Sequence, residues 1–202
     1  MKTTAALMLK APRPGTVKTR LAAEIGVERA TEIYRLLVEH QLSQIPDSWN
    51  ITIHFTPDDA EPEMRKWLSP HLREASFVPQ CPGNLGERMK SAVAHEDGAV
   101  ALIGGDCPYL TREYLTRAEA LSAHTDVVIG PATDGGYVLL LLKQPHASLF
   151  DDVAWSTSLV LEQTQRAAEA EHLHYVLMDP LEDIDTHASL CRFHNQYSVN
   201  YL

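Results

Sequence analysis

Cysteine is scarce in this chain: Cys81, Cys107 and Cys191 are odd in number, widely spaced and form no C-x-x-C pair. That gives no support to a disulfide framework or a cysteine-held zinc site, and it fits a reducing cytoplasm. Long apolar runs are missing too. The run Ala5–Leu9 ends after five residues at Lys10, too short for the apolar part of a signal peptide, and no stretch reaches the length of a membrane span. Positive charge is in short supply, with 17 Lys and Arg against 27 Asp and Glu and a formal net charge of −10. A nucleic-acid partner, which needs a broad basic face, is therefore disfavoured, while room is left for one nucleotide in a locally basic pocket. There is no G-x-G-x-x-G and no Walker A motif, because Val17 precedes Lys18 and only Gly15 is at hand. The ten histidines show no H-E-x-x-H spacing and are assigned to surface and helical positions.

What is present reads as one α/β domain over residues 1–202, with 45% hydrophobic residues and no repeat or flexible linker. Ala5–Leu9, Ile51–Phe55, Phe77-Val78, Ala99–Ile103, Val127–Ile129, Tyr137–Leu142 and Tyr175–Met178 read as strands. Helices are expected over Glu28–Ile45, Glu61–Leu68, Glu87–His95, from a Thr111 cap to Ser122, and from a Ser156 cap to Glu171. The alternation points to a largely parallel sheet, whose ligands sit beyond the carboxyl ends of the strands.

The strand-exit loops carry the chemistry. Lys10-Ala11-Pro12-Arg13-Pro14-Gly15-Thr16-Val17-Lys18-Thr19-Arg20-Leu21 concentrates basic residues ahead of the first acid, Glu24. With a helix expected to start near Thr16 and offer free N–H groups, the stretch reads as a phosphate-binding loop; the alternative is a solvated basic turn. Asp106 ends the run Gly104-Gly105-Asp106 and is either a Mg²⁺ ligand or a turn cap. In Asp183-Ile184-Asp185, the i and i+2 carboxylates share one side if the backbone is extended, which suits a shared cation as well as an acidic turn. Asp134, in Thr133-Asp134-Gly135-Gly136-Tyr137, can serve an acceptor, a metal or its own backbone. Trp155-Ser156-Thr157 reads as a packed indole followed by a helix cap, and Cys107 as a neutral packing residue with no histidine base assigned to it.

Taken in order, these loops, together with Gly83-Asn84-Leu85-Gly86-Glu87-Arg88-Met89, resemble the uncharacterised glycosyltransferase-like family of the nucleotide-diphospho-sugar transferase superfamily. Some members of that family are called arsenosugar biosynthesis glycosyltransferases. The resemblance implies a glycosyltransferase-A fold, a mixed, mainly parallel sheet flanked by helices. It implies a nucleotide site at Lys10, Pro14, Gly15, Lys18 and Arg20, with Gln80 and Gly83 near the base, and Mg²⁺ or Mn²⁺ at Asp106 and Asp185. Two departures stand out: Gly104 occupies the position two residues before Asp106, where a D-x-D motif has a carboxylate, and His187-Ala188-Ser189 replaces the usual Pro-Glu-Asp.

The expectation is therefore a metal-dependent transferase moving a sugar from a nucleotide-activated small-molecule donor to a small-molecule acceptor. Lys18 would neutralise the leaving diphosphate and Asp134 would act as general base. The alternatives are a nucleotidyltransferase that releases pyrophosphate and a non-catalytic nucleotide-binding protein.

Overall fold

The first strand, β1 (Thr4–Lys10), is buried almost end to end because it lies inside the sheet with both faces covered. A computed structural model describes residues 2–197. It places β1 beside β2 (Asn50–Thr56) and β4 (Val100–Ile103), with β3 (Ser76–Pro79) at one edge. β6 (Tyr137–Leu142), β5 (Val127–Pro131) and β7 (Tyr175–Leu177) complete a seven-stranded sheet of order 3-2-1-4-6-5-7. Every pairing is parallel except those of β6, which runs antiparallel to both β4 and β5. The mixed, mainly parallel sheet is as expected, and Tyr137–Leu142 is the strand that makes it mixed.

Side-chain alternation divides the core into two layers. Ala5, Leu7 and Leu9 of β1 face the same way as Ile53, Phe55 and Ile103, against Tyr34, Val38 and Leu42 of α2 (Val27–Gln44) and Met64, Trp67 and Leu68 of α3 (Glu61–Leu68). Leu115 and Ala118 of α5 (Arg112–Ser122) close that layer. Ala6, Leu102, Ile129 and Leu140 face the other way, against Met89 and Val93 of α4 (Leu85–His95) and Ala168 of α6 (Val160–Ala170). A third cluster joins Leu21 of α1 (Thr19–Ile25) and Ile33 and Leu37 of α2 to Ile184, Leu190 and Phe193, the last two on α7 (His187–Tyr197).

Several boundaries differ from the expectation for identifiable reasons. The helix expected near Thr16 begins at Thr19, because the Thr16 N–H is taken by the Arg13 carbonyl at 3.1 Å and Lys18 turns left-handed at φ 47°. α6 begins at Val160 rather than after a Ser156 cap: Ser156 has φ 64°, and Thr157 Oγ1 accepts the Leu159 N–H instead. His54 is no surface histidine. It is buried on β2 with Nε2 3.4 Å from Glu96 Oε1. Burial pushes the Glu96 carboxyl up, but the neighbouring His54 and Thr52 outweigh it and hold the group below its ordinary value. Among the described residues no helix is long and apolar enough to cross a membrane.

Gly105, just past β4, shows how tightly the carboxyl edge of the sheet is packed: a Cβ there would stand 2.6 Å from both Leu9 Cδ2 and Val38 Cγ2. Gly105→Ala should therefore lower the free energy of urea unfolding by about 1–3 kcal/mol through overpacking. An unchanged unfolding midpoint would contradict that packing.

Candidate active site

Because β1, β4, β5 and β7 run the same way, their exits open on one side of the sheet. The chain reverses its direction of travel across the sheet between β1 and β4, the crevice where open α/β sheets bind ligands. The basic loop leaves β1 there and the Gly104-Gly105-Asp106 turn leaves β4. The segment after β7 is stitched to both neighbouring exits: Ile184 N–H donates to the Asp106 carbonyl (2.9 Å), and Leu181 N–H to that of Pro131 (2.9 Å). Cys107 Sγ donates to the Glu182 carbonyl, and burial pushes its thiol up to about 12, which fits the neutral packing role.

At this junction Lys18 is buried. Its ammonium donates to Asp106 Oδ2 at 3.0 Å and Asp185 Oδ1 at 2.7 Å, and only 3% of its side chain is exposed. Burial lowers the affinity of this amine for its proton, but the charges of Asp106 and Asp185 more than offset that, so its pKa stands above the ordinary lysine value. Arg20 lies on the outer side, 79% exposed and 3.9 Å from Asp185 Oδ2. Lys10 is pinned through its backbone, with its N–H donating to Tyr34 Oη and its carbonyl accepting from that hydroxyl. Arg13, on the same basic loop, pairs with Asp59 and Glu63 near and on α3.

Asp183 is absent from the metal set that the resemblance implied, although its spacing with Asp185 had offered it for a shared cation. Oxygens of Asp106, Asp183 and Asp185 lie within 4.8 Å of one another. Burial, reinforced by Asp106 and Asp185 and partly offset by Lys18, pushes the Asp183 carboxyl up to about 6. The cluster thus holds more negative charge than one lysine neutralises. An all-carboxylate donor set with excess negative charge fits a hard divalent cation such as Mg²⁺ or Mn²⁺. The signal for Asp183 was the i, i+2 spacing with Asp185. Asp185 keeps its place despite the altered residues after it, since Ser189 Oγ accepts the backbone N–H groups of Asp185 (3.1 Å) and Thr186 (3.0 Å).

From the carboxylates a cleft of about 680 Å³ runs toward β6 and the segment before α6. Lys10, Arg20 and Asp106 line it together with Asp134, Tyr137 and Trp155. Asp134 is exposed, and its Oδ1 accepts the Gly136 N–H at 3.0 Å. Gly135 next to it has φ 93° and lies so close under Ser158 that a Cβ would collide with the Ser158 carbonyl oxygen. Trp155 is the packed indole expected, stacked on Phe150 at 6.4 Å and lying over Gly86, and it also forms part of the cleft wall. Lys10, Arg20, Asp106 and Asp185 line both this cleft, which Asp134 also lines, and an adjoining cavity of about 310 Å³ lined by Lys18. Pro14, Gly15, Gln80 and Gly83 line neither. The Gln80 amide donates to the Leu9 and His54 carbonyls, beside a separate hollow of about 210 Å³.

Residues 41–157 match the profile of the family described as "Uncharacterized protein conserved in bacteria (DUF2064)". The chain belongs to that family. No curated protein matches it. A candidate nucleotide-diphospho-sugar transferase from Desulfovibrio desulfuricans is 29% identical, superimposes with a TM-score of 0.87, and is covered over 90% of its length by 98% of this chain. Two more distant structures share the fold. One is a 4-diphosphocytidyl-2C-methyl-D-erythritol synthase from Anaerococcus prevotii (10% identity, TM-score 0.65, 98% of this chain and 96% of that one). The other is a Mycobacterium tuberculosis protein in complex with manganese (13%, 0.54, 95% and 97%). This member of DUF2064 thus has the fold of the nucleotide-diphospho-sugar transferases, as the sequence motifs implied.

A carboxyl whose folded-state pKa is raised keeps its proton where the unfolded chain has lost it, so it costs stability as pH rises from the ordinary 3.8 to about 6. Metal-free Asp183→Asn should therefore be more stable than the parent at pH 7.5 by about 1–2 kcal/mol, a figure reduced for the solvent screening of a part-exposed group. The difference should vanish near pH 3.5. Urea unfolding at the two pH values checks this, and a variant that is less stable at pH 7.5 would contradict it.

Proposed function

We propose that this protein is a cation-dependent transferase that takes a nucleoside-diphosphate sugar as donor and passes the sugar to a small hydroxyl-bearing acceptor. One observation carries the reading: three carboxylates and the Lys18 and Arg20 cations converge at one end of a cleft whose other end holds Asp134, Tyr137 and Trp155. The likeness to the Desulfovibrio protein, over nearly the full length of both chains, supports it.

Asp106, Asp183 and Asp185 would hold the divalent cation. Bound there, it would supply Lewis-acid stabilisation of the charge that builds on the departing diphosphate. Lys18 and Arg20 would stabilise the same charge from the protein side, Lys18 with the greater effect because it is desolvated. Lys10, at the end of β1, adds a third cation along the cleft. At the acceptor end, Asp134 has one oxygen fixed by Gly136 and would take the acceptor hydroxyl's proton on Oδ2. Tyr137 and Trp155 would exclude water from that end of the cleft.

Thermal-shift titrations with Mn²⁺ should raise the unfolding midpoint of the wild-type protein further with a nucleoside-diphosphate sugar than with the matching nucleoside triphosphate. Selective stabilisation by triphosphates would instead favour nucleotidyl transfer with release of pyrophosphate. Lys18→Ala should weaken nucleotide binding and lower kcat by about 100-fold to 1,000-fold, as losing one preorganised charge partner does. Asp106→Asn should abolish cation-dependent turnover, and unchanged turnover in that variant would defeat the assignment.

A further inference from the structure

The position of Lys18 is unusual on three counts. Its side chain is almost fully buried at the mouth of an open cleft. Its ammonium bonds to two of the three clustered carboxylates. Its backbone is left-handed, with φ 47° and ψ 46°, a conformation that a lysine holds only when its surroundings fix it. Among the described residues the other cation paired with the cluster is Arg20, at 3.9 Å and largely solvated.

We propose that the Lys18 ammonium is the site's built-in counter-ion, and that it competes with a divalent cation for Asp106 and Asp185. Cation binding then frees Lys18 to take a phosphate of the substrate. The inference rests on reading the cluster as a cation site. A divalent cation drawing an oxygen from each of the three carboxylates would share Asp106 and Asp185 with Lys18, which already takes one oxygen of each. An ammonium beside it would also meet like-charge repulsion at contact distance. Close by in the chain, Leu21 is fully buried with Ile33 and Leu37 in an apolar cluster, which offers an ammonium no new partner. Lys18 can turn into the cleft, which the side chains of Thr16, Thr19 and Arg20 share. A phosphate arriving there gives the released ammonium a new anionic partner, so cation and anionic substrate each strengthen the binding of the other.

The test is Mn²⁺ affinity of the full chain, without nucleotide, read by electron paramagnetic resonance for the wild type, Lys18→Met and Lys18→Arg. Removing the competing charge should tighten Mn²⁺ binding by about tenfold or more in Lys18→Met, while Lys18→Arg stays near the wild type. Adding a nucleoside diphosphate should tighten Mn²⁺ binding in the wild type and much less in Lys18→Met. Equal or weaker Mn²⁺ binding by Lys18→Met overturns the competition. Mn²⁺ uptake that is absent, or indifferent to Asp183→Asn, overturns the cation reading itself. A second measurement needs no variant: reductive methylation of the wild type, followed by mass spectrometry, should leave Lys18 protected in EDTA and reactive in excess Mg²⁺. Protection that Mg²⁺ does not change also overturns the proposal.

Discussion

The pairing of the buried Lys18 ammonium with the part-exposed Asp106 and Asp185 is the interaction on which the arrangement of this molecule turns. It ties together three segments far apart in the chain: the exit of β1, the exit of β4 and the segment after β7. The Lys18 ammonium is buried, so loss of its carboxylate partners would leave a charge uncompensated, and the three segments are held to a common geometry. Backbone hydrogen bonds from Ile184 to Asp106 and from Leu181 to Pro131 add to that constraint without using side chains. α7 then packs Leu190 and Phe193 against α1 and α2, so the last part of the chain braces the first.

The parallel strands explain why so many functional groups meet. Each of β1, β4, β5 and β7 delivers its exit loop to one edge, and antiparallel β6 begins at that edge with Tyr137. Charge is then sorted along the cleft, with carboxylates and cations toward β1 and β4 and an aromatic, hydroxyl-bearing wall toward β6 and α6. That polarity suits a donor with a charged phosphate end and an acceptor with less charge.

Much of this was legible in the residues. The apolar runs Ala5–Leu9 and Ala99–Ile103, flanked by turn chemistry, mark central strands, and Asp106 stands out because it closely follows one of them. The i, i+2 spacing of Asp183 and Asp185 carried the third carboxylate, although the residues alone did not say which side of the segment faced Asp106. What remained hidden depends on tertiary contacts. Nothing local marks Lys18 as buried or pairs Arg13 with Asp59 and Glu63, because their partners come from distant elements. The start of α1 differs for a similar reason, since Lys18 adopts its left-handed backbone where two distant carboxylates hold the side chain. α7 follows the last strand, and its apolar residues find their partners on α1 and α2, so a strand–helix alternation read along the chain passes over it.

On this proposal, one acidic cluster shared between Lys18 and a divalent cation organises the site. Anomalous diffraction from crystals soaked in Mn²⁺ and a nucleoside diphosphate tests it most directly. A single strong peak bounded by Asp106, Asp183 and Asp185 is expected, with Lys18 Nζ moved from Asp106 and Asp185 to a phosphate oxygen. A bound nucleotide with no peak in the cluster, and Lys18 still paired with Asp106 and Asp185, would contradict it.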